Sequence, residues 1–252
     1  MKRIPAYDLP TRLFHWALAL SFLGAFALAT LTSDDGAAFP YHAMLGLVAV
    51  FLVTLRLVWG IVGSRYARFN SFDLRPTSLF AYLRSAIGAA PASHRVAHNP
   101  ASSWFAIAAF AIVLGLGATG FLMARGNESV EELHEVLAWS LVALVVAHVA
   151  GVIVHSLRTK ENLPAAMVSG QRVGTEDEAI PSSRPWSAGA FALLTVALVF
   201  VLRAGYDPAT RQLLLPLTGA PLTLGEAPEG AGGDAEAATA DAAHGDDEDD
   251  DD

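Results

Sequence analysis

The sequence predicts an all-α integral membrane protein, a four-helix bundle with an additional C-terminal transmembrane helix. Of its 252 residues, 53% are hydrophobic and only 16% are charged, whereas a soluble domain carries about 25% charged residues. Five apolar stretches are long enough to cross a bilayer, which takes about 17–25 helical residues. They run over residues 13–31, 42–63, 103–124, 133–156 and 186–203.

Local motifs predict further details of these spans and of the segments between them. The first stretch lacks a small-residue cleavage site, so we expect a mature span rather than a signal peptide. After the second stretch, Leu79, Leu83 and Ile87 recur at helical spacing, which predicts a helix along the membrane surface. The third helix is expected to start at "HNPASSW", with Asn99 as its cap and Pro100 in its first turn. The fifth stretch, "WSAGAFALLTVALVFVL", is close to the minimum length for a span.

Lysine and arginine predict the orientation, because they concentrate on the cytoplasmic side of membrane proteins. They occur in the N-terminal flank and in the loops after the second and fourth spans, whereas "TSDDGAAFPY" and "RGNESVEE" hold one base between them. We therefore expect the N-terminus in the cytoplasm and, with five spans, the C-terminus outside. Tryptophans near the predicted cytoplasmic ends agree with this orientation. They are Trp16, Trp59, Trp104 and Trp186.

The formal net charge of −9 belongs to the C-terminal tail. From Glu226 onward the chain holds 12 of its 25 acidic residues and no Lys or Arg, which leaves 13 acidic residues against 16 basic ones elsewhere. Residues 204–252 are expected to form a periplasmic tail that is acidic and disordered from about residue 226. Such a polyanion could attract a basic partner, bind cations weakly or simply keep the chain soluble.

Two observations restrict the chemistry. The chain has no cysteine, which excludes disulfides, thiolate metal sites, iron–sulfur clusters and covalent haem attachment. The glycines of "GLGATG" match a dinucleotide-binding pattern, but they lie inside the third span with no preceding strand, so close helix packing is their expected role. A cofactor must therefore rely on His, Met, carboxylate or backbone groups.

Four histidines fall into two layers, one near each membrane surface. His134 and His148 are 14 residues apart on one helix, which separates them by about 21 Å along the axis and about 40° around it. His15 stands near the inner end of the first span and His42 near the outer end of the second. Each layer can supply two imidazoles from different helices, an arrangement that suits two bis-His b-type haems inside a bundle.

Spacing alone leaves the inner layer open. His155 lies within about 20° of the face of His148, and mirror symmetry about the membrane centre favours His155 as the partner of His15. Small residues beside two candidates, Gly46 and Gly151, would let a flat macrocycle approach. The alternatives are histidines that only pack helices or that bind metal ions in transit, although these spans almost lack the Asp and Glu of a cation path.

Several separated motifs together resemble one family. They are "YDLPTRLFHW", "HAMLGLVAVFLVTLRLVWGIVGSRYARF", "AHNPA", "ELHEVLAWSLVALVVAHVAG" and "KENLPAAMVSG". Over about residues 5–172, the chain is similar to the bacterial cytochrome b561 / nickel-iron-hydrogenase b-type cytochrome family. The resemblance implies a four-helix di-haem protein of the bacterial cytoplasmic membrane. It divides the chain into a cytochrome domain (1–172), a cytoplasmic linker (173–185), a fifth transmembrane helix (186–203) and the tail (204–252).

Carried over by motif, the resemblance pairs His15 with His148 on an inner haem iron and His42 with His134 on an outer one. It prefers His148 to His155, which becomes an interfacial residue or a contact near a propionate or quinone.

A further candidate is Arg56, which follows His42 by 14 residues and so reaches the depth of the inner haem. A haem propionate is a natural partner for a bidentate guanidinium, and the alternative is an arginine that snorkels to the cytoplasmic surface. His94 and His98 are expected to be structural, and His244 to be solvated.

The implied function is electron transfer across the membrane, through two non-covalent haem b groups, between the quinone pool and a redox partner. That partner could be a periplasmic c-type cytochrome or a dehydrogenase or hydrogenase subunit. A second candidate is a superoxide:quinone oxidoreductase of the same family, which acidic outer loops disfavour. A candidate of another class is a non-redox, metal-binding membrane anchor or transporter. Membrane lipid surrounds the chain, nucleic acid is not an expected partner, and a homodimer stays open.

Overall fold

Helices dominate the computed structural model, which describes residues 2–86, 99–215 and 218–225. Its helices are α1 (Leu9–Leu31), α2 (Pro40–Val62), α3 (Pro76–Ala86), α4 (Pro100–Met123), α5 (Glu131–Thr159), α6 (Leu163–Ser169) and α7 (Pro185–Ala204). Five of these, α1, α2, α4, α5 and α7, are long and apolar enough to cross a membrane. They confirm the five predicted spans, and the chain is a multi-pass membrane protein.

Side-chain caps determine where two of the spanning helices begin. Asp8 accepts a hydrogen bond from the backbone N–H of Thr11 at 2.9 Å and starts α1. Asn99 accepts one from Ser102 at 2.8 Å and starts α4, with Pro100 in the first turn. The predicted Asn99 cap is confirmed, and both helices begin before their apolar stretches because polar caps lie outside the hydrophobic run.

The surface helix is also present as α3, which packs against α4. It includes Leu79 and Leu83, while Ile87 lies outside the described residues, as do His94, His98 and His244.

Two small sheets accompany the helices and were not predicted. The first pairs β1 (Lys2–Pro5) with β2 (Gln171–Gly174) in antiparallel register. The second is a three-stranded antiparallel sheet in the order β3 (Tyr206–Asp207), β4 (Gln212–Leu214) and β5 (Pro221–Thr223). The first sheet pairs the segment that precedes α1 with the segment that follows α6. The second sheet closes one end of the bundle.

One end of the bundle, here called the N-face, consists of residues 2–8, 63–75 and 160–184. A buried ion pair holds it together: Arg172 donates from Nη2 and Nε to the two carboxylate oxygens of Glu161, at 2.8 and 3.0 Å. Burial opposes the charge of Arg172, but the bonds and charges of Glu161 and Tyr7 outweigh it and raise the guanidinium pKa above its ordinary value. The predicted cytoplasmic linker begins directly after Arg172. Its first residues, Val173 and Gly174, pair with β1, which anchors the linker to the start of the chain.

The opposite end, here called the C-face, consists of residues 32–39, 124–130, 205–215 and 218–225. Its sheet packs on both loops: Arg211 donates to the carbonyl of Asp34 at 3.2 Å, and the Thr223 N–H donates to the Ala124 carbonyl at 3.2 Å. The sheet and its flank bury three leucines in the main core. They are Leu213, Leu222 and Leu224.

The spanning helices pack as two hairpins with one addition. Helix α1 packs on α2 and α4 on α5, α2 contacts α4 between the hairpins, and α7 lies against α1 and α2. In the described part of the chain α1 and α5 touch little; one contact is an edge-on ring pair of Phe26 and Trp139 at 5.4 Å. His15, His134 and His148 lie on the two helices of this seam, and His42 lies on α2.

The glycines of "GLGATG" let α4 approach its neighbours, as predicted. A Cβ at Gly117 would overlap Val50 of α2, and one at Gly115 would lie 3.1 Å from Leu137 of α5. A Cβ at Gly120 would lie 3.4 Å from the ring of His134. This third glycine therefore gives a candidate histidine its space.

Candidate functional site

Two candidate histidines meet near the C-face. His42, in the first turn of α2, and His134, in the first turn of α5, have ring centroids 6.2 Å apart with their planes at 73°. A metal held between two imidazole nitrogens at about 2 Å each would place the ring centroids roughly 6 Å apart. The C-face pair therefore has the separation that one shared metal atom requires.

Hydrogen bonds orient both rings of the C-face pair. The Nδ1 of His42 lies 2.8 Å from the carbonyl of Ala25 on α1, so it carries the proton and donates. The Nδ1 of His134 lies 2.8 Å from the hydroxyl of Thr119. That hydroxyl donates to the Gly115 carbonyl at 3.0 Å, so its oxygen accepts from the imidazole. Both rings thus keep Nε2 for a ligand bond, the arrangement typical of metal-bound histidine.

The other two candidates form the N-face pair. His15 on α1 and His148 on α5 lie within electrostatic range of each other. The ring of His148 stacks on Phe105 of α4, with centroids 4.0 Å apart and planes at 18°. His15 has Trp16 edge-on at 5.2 Å, and the Trp16 indole N–H donates to the Met167 carbonyl at 3.2 Å. Aromatic packing, rather than hydrogen bonding, surrounds this pair.

His155 has a different environment. Its Nδ1 lies 3.1 Å from the hydroxyl of Tyr82 on the surface helix α3, and the two rings stack with centroids 6.0 Å apart. The structure therefore holds the ring of His155 against the helix α3.

Arg56 is buried in the bundle, only 3% exposed, so it does not snorkel to the surface. Its guanidinium lies 5.6–5.9 Å from the ring centroids of Phe14, Phe69 and Phe110, and Nη2 donates to the Ala67 carbonyl at 2.9 Å. Among the described residues, nothing accepts a hydrogen bond from the buried Nη1. An unused buried donor of this kind calls for an anionic or carbonyl partner.

These features fit a haem at each pair. In the described part of the chain no group of three or more His, Asp or Glu side chains could hold a metal ion. Each pair offers two imidazoles, a ligand number that suits an iron whose other ligands come from a macrocycle. A Cβ added at Gly46 or at Gly151 would meet nothing within 4 Å. Open space therefore exists beside both α2 and α5, as a flat ring needs.

The sequence model of prokaryotic cytochrome b561 matches residues 6–170. The chain belongs to this family. Cytochromes of the b561 family bind haem b and transfer electrons in membranes, so the chain is a b-type haem protein of membrane electron transfer. Comparisons with curated proteins and with solved structures found no match. The match ends before α7 and the C-face sheet.

Three residues make polar contacts that were not predicted from the sequence. Thr119 looked like an ordinary small residue of an apolar span, yet it orients His134. Asp8 was read only as part of a motif, and Trp59 only as an interfacial tryptophan. In the structure the Trp59 indole N–H donates to the buried Asp8 carboxylate at 3.0 Å. The sequence signal for this bond was a carboxylate placed directly before an apolar helix, where a buried charge needs a partner.

Proposed function

We propose that the chain carries electrons across the bacterial cytoplasmic membrane between quinone and a redox partner, through two haem b groups. The C-face haem would be held by His42 and His134, and the N-face haem by His15 and His148. Bound there, each haem would supply a one-electron carrier with both axial positions filled, a state suited to electron transfer rather than oxygen chemistry.

The geometry of the C-face pair is the observation that carries this proposal. Both Nδ1 atoms are committed, to Ala25 and to Thr119, and the rings already stand 6.2 Å apart. This separation is the one that a single metal atom bound to both rings requires, and both Nε2 atoms are left to bind it.

For the N-face haem, the environment of His155 supports His148 as the ligand. His155 contacts Tyr82 of the surface helix, while His148 stacks on Phe105 of α4 and lies within electrostatic range of His15. Arg56 supports a haem in the same region, because its free Nη1 would meet a propionate carboxylate.

The proposal puts the N-face in the cytoplasm and the C-face in the periplasm, following the distribution of Lys and Arg. Quinone is the proposed membrane-borne partner. A periplasmic c-type cytochrome, or a dehydrogenase or hydrogenase subunit, is the proposed second partner, and the acidic tail would favour a basic one.

Superoxide oxidation at the C-face is the second candidate, and the C-face sheet argues against it. That reaction needs access from outside through the loop at 32–39 or the loop at 124–130. The sheet is bonded to both, through Arg211 to Asp34 and through Thr223 to Ala124.

Vesicles test the proposal directly. The purified, haem-loaded chain would be reconstituted in lipid vesicles that hold a quinol in the bilayer and ferricyanide, a one-electron acceptor that cannot cross it, on the C-face side. We expect two ferricyanide ions to be reduced for each quinol oxidised, and the rate to fall to the protein-free level in His15→Ala. Haem-loaded protein that leaves ferricyanide unreduced would contradict the function.

A further inference from the structure

The start of α1 holds a buried carboxylate to which no function has yet been assigned. Asp8 is only 1% exposed, and both of its oxygens are occupied. Oδ1 accepts from the Thr11 N–H at 2.9 Å, and Oδ2 accepts from the Trp59 indole N–H at 3.0 Å. Burying a carboxylate beside an apolar span is costly, so a reason for this charge should be found among its neighbours.

Trp59 fixes Asp8 to two other helices. The indole is 7% exposed, which places it inside the protein rather than at a lipid interface. Its ring packs edge-on against Phe191 of α7, with centroids 5.4 Å apart. Residues of α1 and α2 therefore bind the carboxylate, and α7 packs against the indole that donates to it.

The neighbour with the opposite charge is Arg56. Trp59, which anchors the carboxylate, follows Arg56 by three residues on α2, so the anchor of Asp8 lies one helical turn from this guanidinium. Among the described residues Asp8 and Arg56 form no hydrogen bond with each other, and Nη1 of Arg56 has no acceptor. Asp8 thus balances the arginine charge from a distance and leaves its donor free.

We propose that the charge of Asp8, held in place by Trp59, and the opposite charge of Arg56 together set the reduction potential of the N-face haem. The inference rests on the proposed function, because it requires a haem at His15 and His148. In a low-dielectric interior a fixed charge acts strongly over short distances, and charges near a haem shift its potential. A negative charge favours the oxidised iron, so losing Asp8 raises the potential and losing Arg56 lowers it.

Redox titration of the purified holoprotein, followed by its optical spectrum, tests the inference. The wild type must first resolve two haem components, and the one that disappears in His15→Ala is the N-face haem. A wild type that lacks this component would contradict the proposed function. Failure of the proposed function is thereby distinguished from failure of the inference about Asp8.

The decisive variant is Asp8→Asn, which removes the charge and keeps a side chain that caps helices well. We expect the midpoint potential of the N-face haem to rise and that of the C-face haem to stay. Asp177→Asn is the matched control, because it removes one negative charge from an exposed position on the same face, where solvent screens it. It should move neither component.

Further variants guard against misfolding and against a general effect. Asp8→Ser, also a good cap, replaces Asp8→Asn if the latter does not accumulate. Arg56→Gln should shift the N-face potential in the opposite direction, and the Asp8→Asn/Arg56→Gln double variant should fall between the two single variants. An N-face potential that Asp8→Asn leaves in place, or two potentials that move together, would overturn the inference.

Discussion

The two histidine pairs offer the same ligand chemistry but are held in different ways. At the C-face, hydrogen bonds to Ala25 and Thr119 fix both rings. At the N-face, His148 is held by stacking on Phe105, and the charges of Asp8 and Arg56 lie close by. A histidine that donates its Nδ1–H to an acceptor becomes a more basic ligand through Nε2. Fixed charges instead act on the iron through space. Under the proposed assignment of two haems, one bundle sets two haem environments by separate means.

The supports of the two ends differ as well. The N-face depends on a polar contact, the buried pair of Arg172 and Glu161, whose side chains are 5% and 9% exposed. The C-face depends on an apolar one, the leucines that its sheet buries in the core. A change of charge should therefore damage the N-face and leave the C-face in place.

The largest expected effect follows from Glu161→Gln, which leaves the buried Arg172 without its charged partner. Breaking one side of a buried ion pair costs about 3–5 kcal/mol. We expect the N-face haem to be lost at a lower temperature than the C-face haem, as followed by optical spectra during heating.

The control for this variant is Glu176→Gln, which breaks the exposed pair with Lys2, whose side chains are 84% and 74% exposed. Surface pairs contribute little, so its melting curve should match that of the wild type. Simultaneous loss of both haems in Glu161→Gln would show that the two ends are not supported independently.

A smaller effect, confined to the C-face, is expected from Thr119→Val. It removes the acceptor of the His134 Nδ1–H, and losing such a supporting bond weakens metal binding by about 10–100-fold. Haem titration of the apoprotein would show one weakened site. Thr54→Val is the matched control, since Thr54 is an exposed threonine of α2 whose hydroxyl bonds only its own helix, at Val50. Equal affinities in the two variants would remove Thr119 from the site.

The smallest effect is expected from Phe105→Leu at the N-face. An aromatic contact contributes about 0.5–1.5 kcal/mol, so haem affinity at that site should fall by tenfold or less while the C-face site is unchanged. Phe80→Leu, on the exposed side of α3, is the control. A weakening confined to the C-face site would mean that Phe105 does not support His148.

Much of this comparison could be predicted from local signals. Hydropathy locates the five spans, the Asn99 cap follows from a short polar motif, and the spacing of His134 and His148 on one helix separates the two layers. Each of these depends on residues that are near one another in the sequence.

The remainder depends on contacts between distant segments. The pairing of β1 with β2 joins residues about 170 positions apart, and neither strand is long enough to show a clear alternation. The contact between Tyr82 and His155 spans 73 positions, and the bond between Asp8 and Trp59 spans 51. No periodicity in the sequence encodes such partners, because tertiary packing alone brings them together.

The most direct test of the two-site account is the number of haems per chain, measured by haem extraction on the wild type and on single His→Ala variants. The account predicts two haems in the wild type, one in each of the variants at His15, His42, His134 and His148, and two in His155→Ala. A colourless wild type, or a haem lost in His155→Ala but kept in His148→Ala, would contradict it.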